Sequence, residues 1–102
     1  MKSFLGVKIS SEVMIEDGPY SGKKVITFSD RNGNDWYEVR KDWEAVVMVD
    51  PITNIICAVE RDVEFLTIAP DMNLYEVKEA NIPDDMVLGN YKYIDGVFTT
   101  IT

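Results

Sequence analysis

The chain has no histidine, and Cys57 is its one cysteine. Without histidine it lacks the commonest general base, the imidazole of Ser-His and Cys-His nucleophile pairs, and the commonest zinc ligand. A single cysteine excludes an intrachain disulfide, a cysteine zinc site and an iron–sulfur cluster. No glycine-rich phosphate loop is present, because Gly18 and Gly22 stand alone with no Gly-Lys-Ser/Thr after them. No apolar run approaches the roughly eighteen residues of a membrane span, and Met1 to Gly6 carries too short an apolar stretch for a secretory signal. No segment keeps a 3.6-residue apolar period over three turns, so a long helix is not expected.

What is present suits a small folded domain. The 102 residues are 46% hydrophobic and 11% aromatic, too apolar for a disordered chain. They match the size of one domain. The net charge of −8, weighted toward the C-terminal half, opposes direct attraction to nucleic acid phosphates. A soluble, intracellular product without membrane contact is the expectation.

The local signals are short strands and turns. Phe4–Ile9, Val13–Ile15, Lys23–Ser29 and Trp36–Val39 read as strands, the last running into an irregular or single helical turn. The polar stretch Glu16–Gly22 reads as a loop. Asn32-Gly33 supplies two residues that tolerate positive φ, which predicts a tight hairpin connection leading into a strand at Trp36. Ala45–Val49 and Ile55–Val59 flank Asp50–Asn54 as a second hairpin. Val63–Ile68 is a strand or an irregular segment, and Leu74–Glu79 alternates as a strand. Asp95-Gly96 between Tyr91–Ile94 and Val97–Ile101 predicts a two-residue hairpin turn.

The fold class expected is therefore mainly β, with at most one short helix. It is a small antiparallel sheet or meander with a C-terminal β-hairpin. Residues 1–80 would form the β core, 81–90 a loop, and 91–102 a terminal hairpin. An isolated hairpin is barely stable in water, so it should pack on the core or on a partner.

Two clusters invite a chemical reading. Asp30, Asn32 and Asn34 alternate as calcium-loop ligands do, but the glycine stands fourth instead of sixth, and Lys41 occupies the place of the bidentate glutamate. Asp84-Asp85 after Pro83 is read as a solvated pair. Cys57, inside the run Ile55–Val59, is expected to be a small buried hydrophobe. No metal, cofactor or catalytic residue is assigned, and the chain is expected to be non-enzymatic.

The aromatics carry the binding hypothesis. Trp36, Tyr37 and Trp43 crowd one segment, and Tyr91, Tyr93 and Phe98 another. They either fill the core or anchor an interface, where Trp and Tyr dominate the energetics. The candidate partner-binding residues are Trp36, Tyr37, Trp43, Tyr91 and Tyr93, with Trp36 expected in the core and Trp43 or Tyr91 at the interface.

The run from Asp30 to Lys41, and within it Asp35-Trp36-Tyr37-Glu38, resembles a motif of tail fibre assembly proteins, the fibre-associated chaperones of tailed bacteriophages and prophages. The likeness continues in order and spacing through Val46–Asp50, Asn54-Ile55-Ile56, Asp62-Val63, Pro70, Glu76-Val77, Pro83-Asp84-Asp85 and Tyr93–Phe98. Asp50–Asn54 stands where that family has a shorter glycine-containing turn. The resemblance implies a protein partner, a tail fibre, and no catalytic residues. It implies work in the bacterial host cytoplasm during assembly, with retention in the virion tail as the other outcome. Two alternatives remain: an acidic inhibitor of a host nucleic-acid enzyme that mimics DNA, and a small structural virion subunit.

Overall fold

Ala45 to Val49 is an uninterrupted apolar run in which all five residues are buried, the pattern of a strand covered on both faces. It forms β4, at the centre of a four-stranded antiparallel sheet in the computed structural model. The structure describes residues 2–14, 18 and 24–101. The sheet runs β1 (Ser3–Phe4), β6 (Asn73–Val77), β4, β5 (Ile56–Glu60). Val46 and Met48 point to one face and Ala45, Val47 and Val49 to the other, as strand alternation requires. Each set joins a separate cluster of buried side chains.

The first face is covered by Phe4, Val7, Trp36, Trp43 and Val63. The second is covered by the C-terminal hairpin of β7 (Tyr91–Ile94) and β8 (Val97–Thr100), which lays Tyr91 and Tyr93 over Val47, Val49 and Ile56. The molecule is β-rich, antiparallel throughout its described ladders, with this hairpin at its C-terminal end. The hairpin turn has Asp95 and Gly96 both at positive φ, 51° and 82°, as a two-residue primed turn demands.

Residues 81–90 do not hang free of the two parts they join. Ile82 is buried in the second cluster and Met86 packs against it. The Tyr91 hydroxyl donates to Asp85 Oδ1 at 2.9 Å, so Asp85 tethers the segment to β7. That hydrogen bond also holds the Tyr91 hydroxyl above its usual pKa, since ionising it would forfeit the donor beside a carboxylate.

Several expected elements differ. Phe4–Ile9 is not one strand, because the chain turns at Gly6 (φ 67°) between β1 and β2 (Lys8–Met14), where the Gly6 N–H donates to Asn73 Oδ1. β2 pairs with β3 (Lys24–Ser29) as a two-stranded ribbon with a bulge at Ser10. Of the loop expected at Glu16–Gly22, all but Gly18 lies outside the described residues, as does Ile15.

Asn32-Gly33 does not make a two-residue hairpin. Gly33 alone has positive φ, and the turn is organised by the Asp30 carboxylate, which accepts from the N–H groups of Asn32 and Asn34 and from the Asn34 amide, each at 2.9 Å. Burial works against the charge on Asp30, but these bonds outweigh it and hold the carboxyl below its usual pKa.

Trp36–Val39 is a helix, α1, continued by a 3-10 turn at Arg40–Asp42. Asp35 is its N-cap, accepting from the Glu38 N–H at 3.2 Å, and Asp-x-x-Glu is the spacing of a capping box. Val63–Phe65 is likewise a 3-10 turn, capped by Asp62.

Candidate protein-binding surface

Four of the five aromatic candidates lie inside the fold. Trp36 is fully buried, as expected, with Phe4 and Trp43 at ring-centroid distances of 5.2 and 5.1 Å. Trp43 is only 7% exposed, which corrects its expected interface position: the turn at Arg40–Asp42 swings its ring back under α1 and onto β4. Tyr91 and Tyr93 are buried as well, since the hairpin presents its inner face to the sheet. Tyr93 packs at 5.3 Å from Tyr75 and 5.2 Å from Phe98, and burial, with Tyr75 adding to it, pushes its hydroxyl pKa up.

Tyr37 alone of the five is exposed, at 37%. Its hydroxyl donates to the Ile26 carbonyl at 3.0 Å, which fixes α1 against β3. The Arg40 guanidinium lies over its ring, 4.5 Å from the centroid. One helical turn separates the two residues, so the helix itself sets the stack. Lys41 is paired with Glu38 at 3.1 Å on the same surface.

These residues line a groove of about 370 Å³. Tyr37, Arg40 and Lys41 reach it from α1 and its following turn; Asp62, Val63 and Glu64 reach it from the second 3-10 turn. The buried Trp43 contributes its remaining accessible edge. Cations and carboxylates thus line one groove whose apolar groups are Trp43 and Val63. The second 3-10 turn also carries Phe65, which is 72% exposed. Sequence reading missed Phe65 because Val63–Ile68 could pass for a strand, whereas Asp62 capping the Glu64 N–H turns the chain at once.

Cys57 corrects a second expectation: it is exposed. Val49 pairs with Ile56 and Met48 with Ala58, so Cys57 is the extra residue of a β-bulge in β5. A bulged residue leaves the strand alternation, which turns this thiol outward from an apolar run.

A second, smaller groove of about 260 Å³ lies between the end of β6 and the hairpin, lined by Lys2, Glu76, Lys78, Tyr93 and Phe98 among others. No family model matches the chain, and no curated protein or solved structure matches it either.

Proposed function

We propose that this chain is a non-enzymatic tail-fibre-associated protein of a tailed bacteriophage or prophage, which binds the fibre through the Tyr37–Trp43 groove. The observation that carries the binding site is the Tyr37–Arg40 stack beside an edge of Trp43. Trp, Tyr and Arg are the residue types that dominate interface energetics. Here the tyrosine is already held by its hydroxyl bond to Ile26 and by the guanidinium above it, so docking would cost little further side-chain entropy. Phe65 adds an exposed apolar contact from the turn that carries Val63 and Glu64.

The partner comes from the resemblance of Asp35-Trp36-Tyr37-Glu38 and the ordered residues after it. A fibre trimer exposes strand edges and apolar surface before it is wound, and a small β protein can cover them. Such a protein aids folding and trimerisation in the host cytoplasm, or caps the fibre tip and stays on the virion.

The test is Tyr37→Ala and Arg40→Ala in co-purification with the tail fibre. Arg40→Ala should fold as the wild type does, Tyr37→Ala should keep the fold with a loss of stability from its missing bond to Ile26, and both should weaken fibre binding by about 2 kcal/mol or more. Unchanged binding by both would remove the groove from the reading.

A further inference from the structure

The two walls of the Tyr37–Trp43 groove carry opposite charges, and those charges do not neutralise one another. Arg40 stands on one wall, half-buried, its guanidinium stacked 4.5 Å from the Tyr37 ring centroid. Stacking occupies the flat face of a guanidinium and leaves its in-plane N–H groups free. No carboxylate among the described residues lies within ion-pair distance of Arg40. Lys41 beside it is already paired with Glu38 at 3.1 Å. Arg40 is therefore the uncompensated cation of this wall.

Asp62 and Glu64 form the opposite wall. Asp62 Oδ1 accepts from the Glu64 N–H at 3.0 Å, and neither carboxylate has a cationic partner among the described residues. Arg61, their neighbour in sequence, pairs instead with Glu79 at 3.5 Å. Between the two walls lie the accessible edges of Trp43 and Val63.

On the reading that this groove docks a protein, we infer that its occupant is an extended segment of the partner with side chains of both charges. An acidic side chain meets Arg40, a basic one meets Asp62 and Glu64, and an apolar one sits between them on Trp43 and Val63. A guanidinium with its fork free fits a carboxylate in bidentate fashion. A phosphate-rich strand would satisfy Arg40 but would face two carboxylates across the groove, on a chain of net charge −8. A uniformly basic segment would satisfy Asp62 and Glu64 but would confront Arg40. A segment carrying both signs satisfies both walls. One face of an extended segment takes every second residue, so the three side chains fall at alternate positions. Phe65, exposed next to Glu64, offers apolar surface to the stem of the basic side chain.

The experiment is an NMR titration of the full chain with four acetylated pentapeptide amides. Their sequences are Glu-Thr-Leu-Thr-Lys, Glu-Thr-Leu-Thr-Glu, Lys-Thr-Leu-Thr-Lys and Gln-Thr-Leu-Thr-Gln. The first should shift the Tyr37, Trp43 and Val63 signals saturably. It should bind about fivefold more tightly than the neutral peptide, since exposed ion pairs contribute little each. Glu64→Lys should move the preference to the doubly acidic peptide, and Arg40→Glu to the doubly basic one, with circular dichroism unchanged in both. A merely structural role for either residue would not exchange the preferences. Equal affinity for the four peptides would overturn the inference, as would shifts outside the groove, no saturable shift, or a preference that neither variant moves. Fibre co-purification that depends on Tyr37 alongside such a result would leave the docking reading standing. The expected preferences without fibre co-purification would sink the fibre and keep the groove's chemistry.

Discussion

Trp36 and Trp43 meet edge to face, their ring centroids 5.1 Å apart and their planes at 86°. Such pairs contribute about 0.5–1.5 kcal/mol beyond their buried area. They pack between α1 and the sheet, so the short helix is held by its tryptophans more than by its own hydrogen bonds. Four helical residues cannot be stable alone. Trp36→Ala and Trp43→Ala should each cost about 3–5 kcal/mol of folding stability. The double variant should lose less than the sum, because the two removals share one contact. Urea unfolding of the four species measures this, and strict additivity would contradict the packing described.

Asp35 tests the start of the helix. Asp35→Ala leaves the Glu38 N–H without its side-chain acceptor and should cost about 1 kcal/mol. Asp35→Asn keeps an acceptor and should cost less. Equal losses in chemical denaturation would show that the cap does not matter.

Asp30 gives the fold a predictable response to acid. Its carboxyl is held below the usual value of 3.8 in the folded chain. The unfolded chain therefore binds that proton first as pH falls, and stability is lost as pH drops through the folded value. The contribution is complete above the ordinary carboxylate range. Asp30→Asn should flatten this part of the stability profile below about pH 4. It should also destabilise at neutral pH, because a charged acceptor of three hydrogen bonds is replaced. A variant with the wild-type acid profile would place the acid sensitivity elsewhere.

Cys57 separates the bulge from a regular strand. In the folded protein its thiol should be labelled by a maleimide as readily as in the unfolded chain. Cys57→Ser should change stability by no more than about 0.5 kcal/mol. Slow labelling that requires unfolding would return the residue to the core.

The parts legible in the sequence are those set by local chemistry or by continuous burial. Asp95-Gly96 places its hairpin because few other residue pairs accept two successive positive φ values. Ala45–Val49 reads as a hairpin strand because its apolar run stops at the turn-forming Asp50–Asn54. Other features depend on relations between strands that no single segment displays. The outward turn of Cys57 comes from a register shift between β4 and β5, invisible along either strand. The positions of Trp36 and Trp43 are not legible along the chain, because a buried Trp and an interface Trp look alike in sequence.

The signals for the Asp30–Asp35 turn and for the start of α1 lie in Asp30 and in the Asp35-x-x-Glu38 capping box, beside an Asn32-Gly33 pair that by itself suggests a hairpin. The same four residues, Asp35 to Glu38, carry the resemblance to tail fibre assembly proteins. That motif shapes a helix start and places Tyr37 on the surface, with Trp36 beneath it.

The groove at Tyr37 and the fibre it is proposed to bind are tested most directly by one co-expression. A candidate tail-fibre protein is produced with and without this chain, and soluble trimeric fibre is quantified. The account predicts more soluble trimer with the chain present, and co-purification of the two that Tyr37→Ala reduces. No increase in trimer and no co-purification with the wild-type chain would contradict it.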